Sequence, residues 1–247
     1  MSWPRNGLRY MFLACYGMLV VFCSHSKIFA DSGLLDESFR SLEQWEPFTF
    51  HGIDDHSSYR IVEEEKTTCL EMRTAGGASA LILKTRFDVY NAPILSWRWK
   101  VDNIYAHGNY LEKQGDDYPA RLYVIFAYDP EKASWSRKLK YTAGKVIYGE
   151  YPPDSTLNYI WANRPDAPDV ITNVYVDRAK MIPVDRGARY LNQWRNYEVD
   201  IVADYEKAFG AKPPRMATLG VMIDGDNTGE VARSCIDFIR LSGSEVR

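Results

Sequence analysis

Two segments near the middle of the chain alternate apolar and polar residues with a period of two, which is the pattern of half-buried β-strands. The first is Pro93–Asp102 and the second is Ala120–Asp129. The acidic, glycine-containing stretch Gly115–Tyr118 lies between them. The pattern predicts two long strands joined by a loop, as in a hairpin of the protein core.

The two predicted strands have one apolar face and one face with basic and aromatic residues. Trp97 and Trp99 lie on the apolar face of the first strand. The opposite faces carry Arg98, Lys100, Arg121 and Tyr123. Because long basic side chains are rarely buried without partners, this second face is a candidate site for a ligand.

Shorter apolar runs separated by turn residues fill most of the remaining chain. They predict strands within residues 59–62, 68–72, 80–84, 170–177, 180–184, 194–202, 217–224 and 231–241. Residues 34–50 are expected to wrap onto the core. Residues 148–169 are rich in Pro, Asn, Asp and aromatic side chains and are expected to form a long ordered loop with at most one short strand, around residues 157–161.

Two short helices are predicted among these strands. One begins at Asp129-Pro130, where Asp is the N-cap and Pro takes the first helical position. The other covers residues 204–210, with Asp204 as its cap and Gly210 at its end. About ten strands with one or two short helices predict an all-β protein, a β-sandwich of jelly-roll or galactose-binding-like form.

The first thirty residues have the layout of an export signal. Arg5 and Arg9 precede an uncharged apolar run, residues 10–23. This run is shorter than the roughly 20 residues that a membrane span needs. We expect a signal peptide in residues 1–30, a single sandwich domain in residues 31–247, and a periplasmic or secreted protein without stable membrane insertion. An uncleaved membrane anchor is the alternative.

The charge of the chain argues against a nucleic-acid partner. Lys and Arg total 30 and Asp and Glu total 33, which gives a formal net charge of −3. The first thirty residues hold three of the basic residues and none of the acidic ones, so the remainder carries −6. Nucleic-acid-binding surfaces need an excess of basic residues, and we therefore expect no such partner.

Two cysteines, Cys69 and Cys235, lie beyond the predicted signal peptide. In an oxidising compartment they can form one disulfide, and their wide separation would make it worth about 4 to 5 kcal/mol in the chain-entropy model. Two free thiols are the alternative, because sequence spacing does not fix the geometry that a disulfide needs.

The segment Asp224–Gly229 has oxygen-bearing side chains at alternating positions and then a glycine, as calcium-binding loops do. The candidate calcium ligands are Asp224, Asp226 and Thr228, with Asp116 and Asp117 as further carboxylates. A calcium loop of the helix-loop-helix type has Glu at its twelfth position, where this chain has Cys235. The alternative is a turn between two strands that is rich in Asp, Asn and Gly.

Four groups of residues resemble the secreted bacterial family described as domain of unknown function 3047. They are Trp97–Val101, Gly115–Phe126, Asp204-Tyr205 with Phe209-Gly210, and Ile223–Thr228. The resemblance covers essentially the whole chain after the signal peptide and implies no established activity. It implies a β-sandwich similar to those of carbohydrate-binding modules, which is a likeness of fold and not of function.

The basic and aromatic side chains predict a glycan-binding site on such a sandwich. Arginine binds carboxylate and sulfate groups through paired hydrogen bonds, and aromatic rings give sugar faces an apolar platform. The candidate ligand-binding residues are Arg98, Lys100, Arg121, Tyr123, Tyr118 and Trp161. The alternative is structural, with Arg121 paired inside the protein to Asp224 or to the Asp116-Asp117 pair, and the tryptophans in the core.

One strand motif indicates a different class, the glycoside hydrolases. Glu198 and Asp200 share a strand face, as catalytic carboxylates do in family 16 of these enzymes. The third carboxylate of that motif is absent, because Ala203 occupies its position. We therefore favour a protein without catalytic activity.

The expected function is that of an exported, non-catalytic domain that binds a polysaccharide or another envelope glycan. An acidic polysaccharide is one candidate ligand, and a structural calcium ion is the one cofactor considered. Two alternatives stay open: a glycoside hydrolase or lyase that acts on such a polymer, and an envelope module that binds another protein through residues 148–169.

Overall fold

The computed structural model describes residues 35–131 and 152–244. In these ranges the chain forms two packed β-sheets, one α-helix and one 3₁₀ turn, so the predicted β-sandwich is confirmed. No helix in the described ranges has the length and apolar character that a membrane span requires. The predicted signal peptide, and the helix predicted to follow Asp129-Pro130, fall outside the described residues.

The first sheet has six strands, and all of its pairs are antiparallel. In spatial order its main path is β12 (Arg195–Asp200), β7 (Ile94–Val101), β14 (Val231–Ser242), β4 (Thr67–Ala75) and β3 (Ser58–Glu64). The short strand β1 (Leu35–Glu37) also pairs with β14. Chain segments that are far apart in sequence are therefore neighbours in this sheet.

The second sheet has eight strands. In spatial order its main path is β10 (Ile171–Thr172), β11 (Ala179–Arg186), β9 (Ser155–Ala162), β8 (Arg121–Phe126), β13 (Met216–Asp224), β5 (Ala78–Leu83) and β2 (Trp45–Thr49). The short strand β6 (Phe87–Asp88) pairs with β13.

The region between residues 148 and 186 differs most from its prediction. Part of the predicted long loop is β9, a strand of eight buried residues beside β8. The strand predicted at residues 170–177 shrinks to the two residues of β10. β9 and β11 pair in parallel, which requires the residues between them to cross from one end of the sheet to the other.

The hairpin predicted for residues 93–129 is wrong. β7 lies in the first sheet and β8 lies in the second, so this segment crosses the sandwich instead of turning back on itself. Trp97 and Leu122 both point into the space between the sheets. Arg98 and Arg121 therefore lie on opposite outer surfaces. Alternation shows which residues share a face of one strand, but it does not show which strands are paired.

The core between the sheets is rich in aromatic rings. The ring centroid of Trp97 lies 5.6 Å from that of Trp99, 5.2 Å from that of Tyr159 and 5.0 Å from that of Tyr197. Aromatic pairs at such distances contribute about 0.5 to 1.5 kcal/mol each beyond the area they bury. The alternating tryptophans of β7 thus join the two sheets, as the sequence pattern indicated.

The helix α1 spans Ile201–Phe209 and begins three residues earlier than predicted. Its N-cap is Asp200, whose carboxylate accepts hydrogen bonds from two N–H groups of the first turn at 2.8 and 3.0 Å. Asp204, the predicted cap, instead accepts a hydrogen bond of 2.9 Å from the Tyr159 hydroxyl. Gly210 ends the helix with a φ of 66°, which favours glycine.

A disulfide joins Cys69 on β4 to Cys235 on β14. The two Cα atoms are 5.8 Å apart, and both residues are fully buried. Of the two alternatives that the sequence left open, the structure has the disulfide. The bond links adjacent strands of the first sheet that are 166 residues apart in the chain.

Candidate functional site

A cavity of about 380 Å³ opens on the outer face of the second sheet. Its floor is formed by four adjacent strands, β9, β8, β13 and β5, and loops form its walls. Three aromatic rings line it: Phe50, Tyr123 and Tyr175. Three amide side chains line it as well: Asn158, Asn173 and Asn227. The cavity therefore combines apolar ring faces with hydrogen-bonding groups.

The outer face of this sheet carries the cavity and an apolar cluster beside it. Leu122 and Val124 of β8 face the core, while Arg121 and Tyr123 alternate with them on the outer side. A second apolar cluster continues the outer face beside the cavity: Phe48, Ala78, Ala80, Ile82, Ile125 and Met222. Ala78 and Met222 of this cluster also line the cavity, and Met222 is the cross-strand partner of Arg121, so apolar groups adjoin the ion pair.

Arg121 is buried in the wall of the cavity, with 3% of its surface exposed. Its Nε donates to Asp224 Oδ1 at 2.9 Å, and its Nη2 donates to the other oxygen of the same carboxylate and to the carbonyl of Asp116. The guanidinium also lies 4.4 Å from the ring centroid of Tyr118. The structural alternative foreseen for Arg121 is thus present, and the ion pair lines the cavity.

The ion pair fixes the protonation of Arg121. Burial alone lowers the pKa of a guanidinium, but the charge of Asp224 beside it raises the pKa of Arg121 well above its usual value. Burial also raises the pKa of Tyr123, to about 12. The Tyr123 hydroxyl therefore remains protonated and can donate a hydrogen bond.

Asp117 organises the loop between β13 and β14. This fully buried carboxylate accepts hydrogen bonds from the Asn227 side chain at 2.9 Å and from the N–H groups of Asn227 and Thr228 at 3.1 and 2.6 Å. The Tyr175 hydroxyl donates to Asn227 Oδ1 at 2.8 Å. These contacts join three loops around the mouth of the cavity, and Thr228 contributes through its backbone.

Three of the five residues predicted as calcium ligands come together. One carboxylate oxygen from each of Asp117, Asp224 and Asp226 lies within 4.8 Å of the others. The Asp224 carboxylate is already paired with Arg121, and that of Asp117 with the N–H groups of its loop. A cation here would compete with those donors, whereas the Asp226 carboxylate is exposed.

Two buried acceptors in the cavity wall lack hydrogen-bond donors among the described residues. They are Asp116 Oδ1 and Asn158 Oδ1. The other oxygen of Asp116 accepts from the Asn173 side chain at 2.8 Å. Burial raises the pKa of the Asp116 carboxyl above its usual value. Unpaired buried acceptors are rare in folded proteins. The protein itself therefore does not supply all the hydrogen bonds that the polar atoms of this wall can accept.

Arg98 and Lys100, two of the predicted ligand-binding residues, lie on the outer face of the first sheet. Arg98 donates to Asp237 at 3.0 Å, and Lys100 pairs with Glu64 and with Glu65. The prediction that they share a face with Arg121 and Tyr123 is wrong, because β7 and β8 belong to different sheets. Their charges take part in ion pairs between strands instead.

Tyr118 and Trp161 are buried, which corrects their assignment to an accessible glycan surface. Trp161 is fully buried between the sheets, and its Nε1 donates to the Gly187 carbonyl at 3.0 Å. Tyr118 is 1% exposed and supports the Arg121 guanidinium from below. Trp161 lies on β9, which is longer than the short strand predicted in this region. The alternation of side chains along β9 directs Trp161 into the space between the sheets.

The two carboxylates predicted as hydrolase candidates are not in the cavity. Asp200 caps α1, and Glu198 is exposed on β12 at the edge of the first sheet. The motif that contains Glu198 and Asp200 therefore marks the place where β12 ends and α1 begins. The carboxylates that line the cavity are Asp116, Asp224 and Asp226.

Sequence reasoning missed most of the cavity lining. Phe50 and His51 follow β2 in a loop, and Asn173 and Tyr175 follow β10. Asn158 lies on the outer face of β9, next to Tyr123 of β8. The alternation of residues 155–162 contained a signal for Asn158, but the loop residues meet only through the pairing of distant strands.

The chain is similar to a known protein family over most of its length. Residues 43–240 match the family described as Protein of unknown function (DUF3047). None of the curated proteins matches the chain in sequence.

Several solved structures have a similar layout at low sequence identity. The family 11 carbohydrate-binding module of Clostridium thermocellum, in complex with a β-1,3-1,4-mixed-linked tetrasaccharide, has a TM-score of 0.42 at 11% identity, over 85% of this chain and 94% of that one. The potassium-bound carbohydrate recognition domain of Emp46p has a TM-score of 0.38 at 10% identity, over 83% and 91% of the two chains.

An enzyme is among the similar structures too. The enzymatically active domain of tailspike protein 4 from bacteriophage CBA120 has a TM-score of 0.40 at 10% identity. The match covers 85% of this chain but 20% of that one. Likeness at this level carries no information about a ligand or a reaction, which must come from the cavity itself.

Proposed function

The chain belongs to the family described as Protein of unknown function (DUF3047), and we propose that this member binds a glycan in the cavity on the outer face of its second sheet. Binding occurs without chemical conversion of the glycan. The observation that carries the proposal is the combination of aromatic rings and amide side chains around one cavity of about 380 Å³. This volume lies within the range of small-ligand sites in proteins, roughly 300 to 1,000 Å³.

The lining suits a sugar because a sugar ring has both apolar and polar surfaces. Phe50 and Tyr175 offer ring faces for the C–H groups of a pyranose. The side chains of Asn173 and Asn227, both partly exposed, offer amide groups to its hydroxyls. Because Asp117 and Tyr175 hold Asn227 in place, part of this wall is preorganised and loses little entropy on binding.

The charges of the lining favour a glycan without acidic groups. Arg121, which suggested an acidic ligand, already has its charge balanced by Asp224. Asp116 and Asp226 also line the cavity and would repel a sugar carboxylate or sulfate. We therefore propose that neutral or basic glycans bind more tightly than acidic ones.

The proposal includes export to the periplasm or the cell exterior. The sequence of residues 1–30 and the disulfide between Cys69 and Cys235 support it, because disulfides persist in oxidising compartments. Fusion of residues 1–30 to a reporter enzyme that is active only after export tests this part. A reporter that stays inactive contradicts it.

Affinity electrophoresis against immobilised polysaccharides tests the binding function. We expect the native protein to be retarded by at least one neutral or basic glycan, and Phe50→Ala to reduce the retardation. The matched control is Arg98→Ala, which alters the outer face of the first sheet and leaves the cavity intact. If no glycan in a panel of neutral, basic and acidic polymers retards the native protein, the proposal fails.

A structural calcium ion held by Asp117, Asp224 and Asp226 is the metal component of the proposal. The three carboxylates within 4.8 Å of one another support it. Chelator is then expected to lower the melting temperature of the native protein, and Asp226→Ala is expected to abolish that effect. An unchanged melting curve with chelator would remove calcium from the account and leave a hydrogen-bonded turn.

A glycoside hydrolase is the second candidate, favoured by one observation. Burial raises the pKa of Asp116, and enclosure together with the charge of Asp117 raises the pKa of Asp226. Carboxyl groups with raised pKa in a cavity are a feature of general acids. If the purified protein releases reducing ends from a glycan that it binds, its function is hydrolysis of that glycan and not binding alone.

A further inference from the structure

The described residues that line the cavity carry more negative than positive charge. Asp116, Asp224 and Asp226 line it, and Arg121 is the one Lys or Arg among the described lining residues. The guanidinium of Arg121 is already bound by both oxygens of Asp224. Asp116 and Asp226 therefore have no ion-pair partner of their own among the described lining residues, and the nearby charge of Arg121, already paired with Asp224, acts to lower the pKa of both carboxyl groups.

Asp116 is the deeper of these two charges. It is 4% exposed, and its Oδ1 makes no hydrogen bond of good geometry, although the Tyr118 hydroxyl lies close enough to the carboxyl to act to lower its pKa. Asn158 is 2% exposed in the same lining, and its Oδ1 lacks a donor as well. A buried acceptor without a donor is unfavourable, and a charged donor satisfies it more strongly than a neutral one. What the wall lacks is thus hydrogen-bond donors and not a further acceptor.

Asp226 is the outer charge, on the exposed loop between β13 and β14. A cation that enters the cavity meets this carboxylate directly, with Asp116 behind it in the same lining. The rings of Phe50 and Tyr123 line the same space, as does that of Tyr175, over which Lys113 Nζ already lies 5.0 Å from the ring centroid. Aromatic faces also attract cations, by about 0.5 to 2 kcal/mol depending on solvent exposure.

We propose that the glycan bound in this cavity carries a free ammonium group, so that the ligand is an amino sugar whose amine is not acetylated. The inference rests on the proposed glycan-binding function. An ammonium group supplies three hydrogen-bond donors and one positive charge, which suit the Asp226 carboxylate and the field of Asp116. An acetylated amine supplies one donor and no charge, and an acidic sugar brings a charge of the wrong sign.

Isothermal titration calorimetry with short oligosaccharides of equal length tests the inference. The probes are oligomers of glucosamine, of N-acetylglucosamine and of glucose, each titrated in parallel with chelator and with Ca²⁺, because a calcium ion bound at Asp226 would take the place of the ammonium group. We expect the glucosamine oligomer to bind about tenfold more tightly than the other two, or better. We expect this preference to shrink in about 0.5 M salt, because Asp226 is exposed to screening.

Two matched variants locate the effect. Asp226→Asn is expected to weaken binding of the glucosamine oligomer about tenfold and to leave the N-acetylglucosamine oligomer unchanged. Glu198→Gln removes one negative charge from the exposed edge of the first sheet, far from the cavity lining, and is expected to change neither. Both positions are exposed, and the melting temperature of each variant, measured beside that of the native protein, shows whether it is folded.

The outcomes separate this inference from the function on which it rests. Equal or tighter binding of the acetylated or neutral oligomer overturns the ammonium inference and keeps the glycan-binding function. Equally tight binding of a lysine oligomer overturns the sugar part, because the site would then respond to charge alone. If none of the three oligosaccharides binds, the ammonium inference fails, and the panel of neutral, basic and acidic polymers decides the glycan-binding function.

Discussion

At the scale of single residues, Arg121 connects the core structure to the candidate site. Its guanidinium is enclosed by the Asp224 carboxylate, the Asp116 carbonyl and the Tyr118 ring, and its near neighbour Tyr123 lines the cavity. Buried ion pairs of this kind gain little net stability, but removal of one partner is costly. Arg121 thus shapes the cavity wall and is not free to bind an anionic ligand.

The first prediction concerns this pair. Arg121→Ala is expected to lower the free energy of unfolding by about 3 to 5 kcal/mol, because Asp224 would remain buried without its partner. The double change Arg121→Met with Asp224→Leu is expected to cost less than the single change. Urea unfolding of the three proteins measures the difference, and a loss below about 1 kcal/mol for Arg121→Ala would contradict the buried pair.

At the scale of strands, ion pairs on the outer face of the first sheet join β3, β4, β7 and β14. Arg233 of β14 binds Glu64 and Glu71 at 2.7 Å each, and Asp102, just after β7, at 2.8 Å. Lys100 of β7 pairs with Glu64 as well. The network lies on the same outer face as the Cys69–Cys235 disulfide, and none of its residues lines the cavity.

The second prediction is an acid-dependent loss of stability through Glu64. Hydrogen bonds from Arg233 and Lys100 lower the pKa of Glu64 from 4.5 to about 2. A lowered pKa stabilises the folded state fully above pH 4.5, and the gain is lost as the pH falls from 4.5 towards 2. Because the Glu64 side chain is 22% exposed, we expect a gain of about 1 to 2 kcal/mol.

Urea unfolding of the native protein and Glu64→Gln between pH 7 and pH 3 measures this gain. The difference in free energy of unfolding is expected to be largest at pH 7 and to shrink with acid. Glu198→Gln, at an exposed carboxylate of β12, is the control and should show no such trend. A difference for Glu64→Gln that does not change with pH would contradict the assignment.

Strand positions were the most predictable part of the fold. Alternation correctly located β4, β5, β7, β8, β13 and β14, because one face of each packs against the core. It underestimated β9, because the short strand expected around residues 157–161 extends over eight residues, all of them buried. It also failed for the pairing of β7 with β8, because pairing depends on contacts between distant segments.

At the scale of the whole molecule, the crossing of residues 93–129 from one sheet to the other decides where the chemistry lies. It separates Arg98 and Lys100 from Arg121 and Tyr123, which the sequence had placed together. The aspartates near Arg121 were foreseen, since Asp116, Asp117 and Asp224 do surround it. The aromatic and amide side chains of the cavity were not, because three separate loops supply most of them.

The central claim is that the glycan binds on the second sheet and not on the first. Calorimetric titration of the most strongly retarding glycan into the native protein, Phe50→Ala and Arg98→Ala tests it most directly. The account predicts about a tenfold loss of affinity for Phe50→Ala and no loss for Arg98→Ala, with both variants folded. Unchanged affinity in Phe50→Ala together with a loss in Arg98→Ala would place the ligand on the opposite sheet and contradict the account.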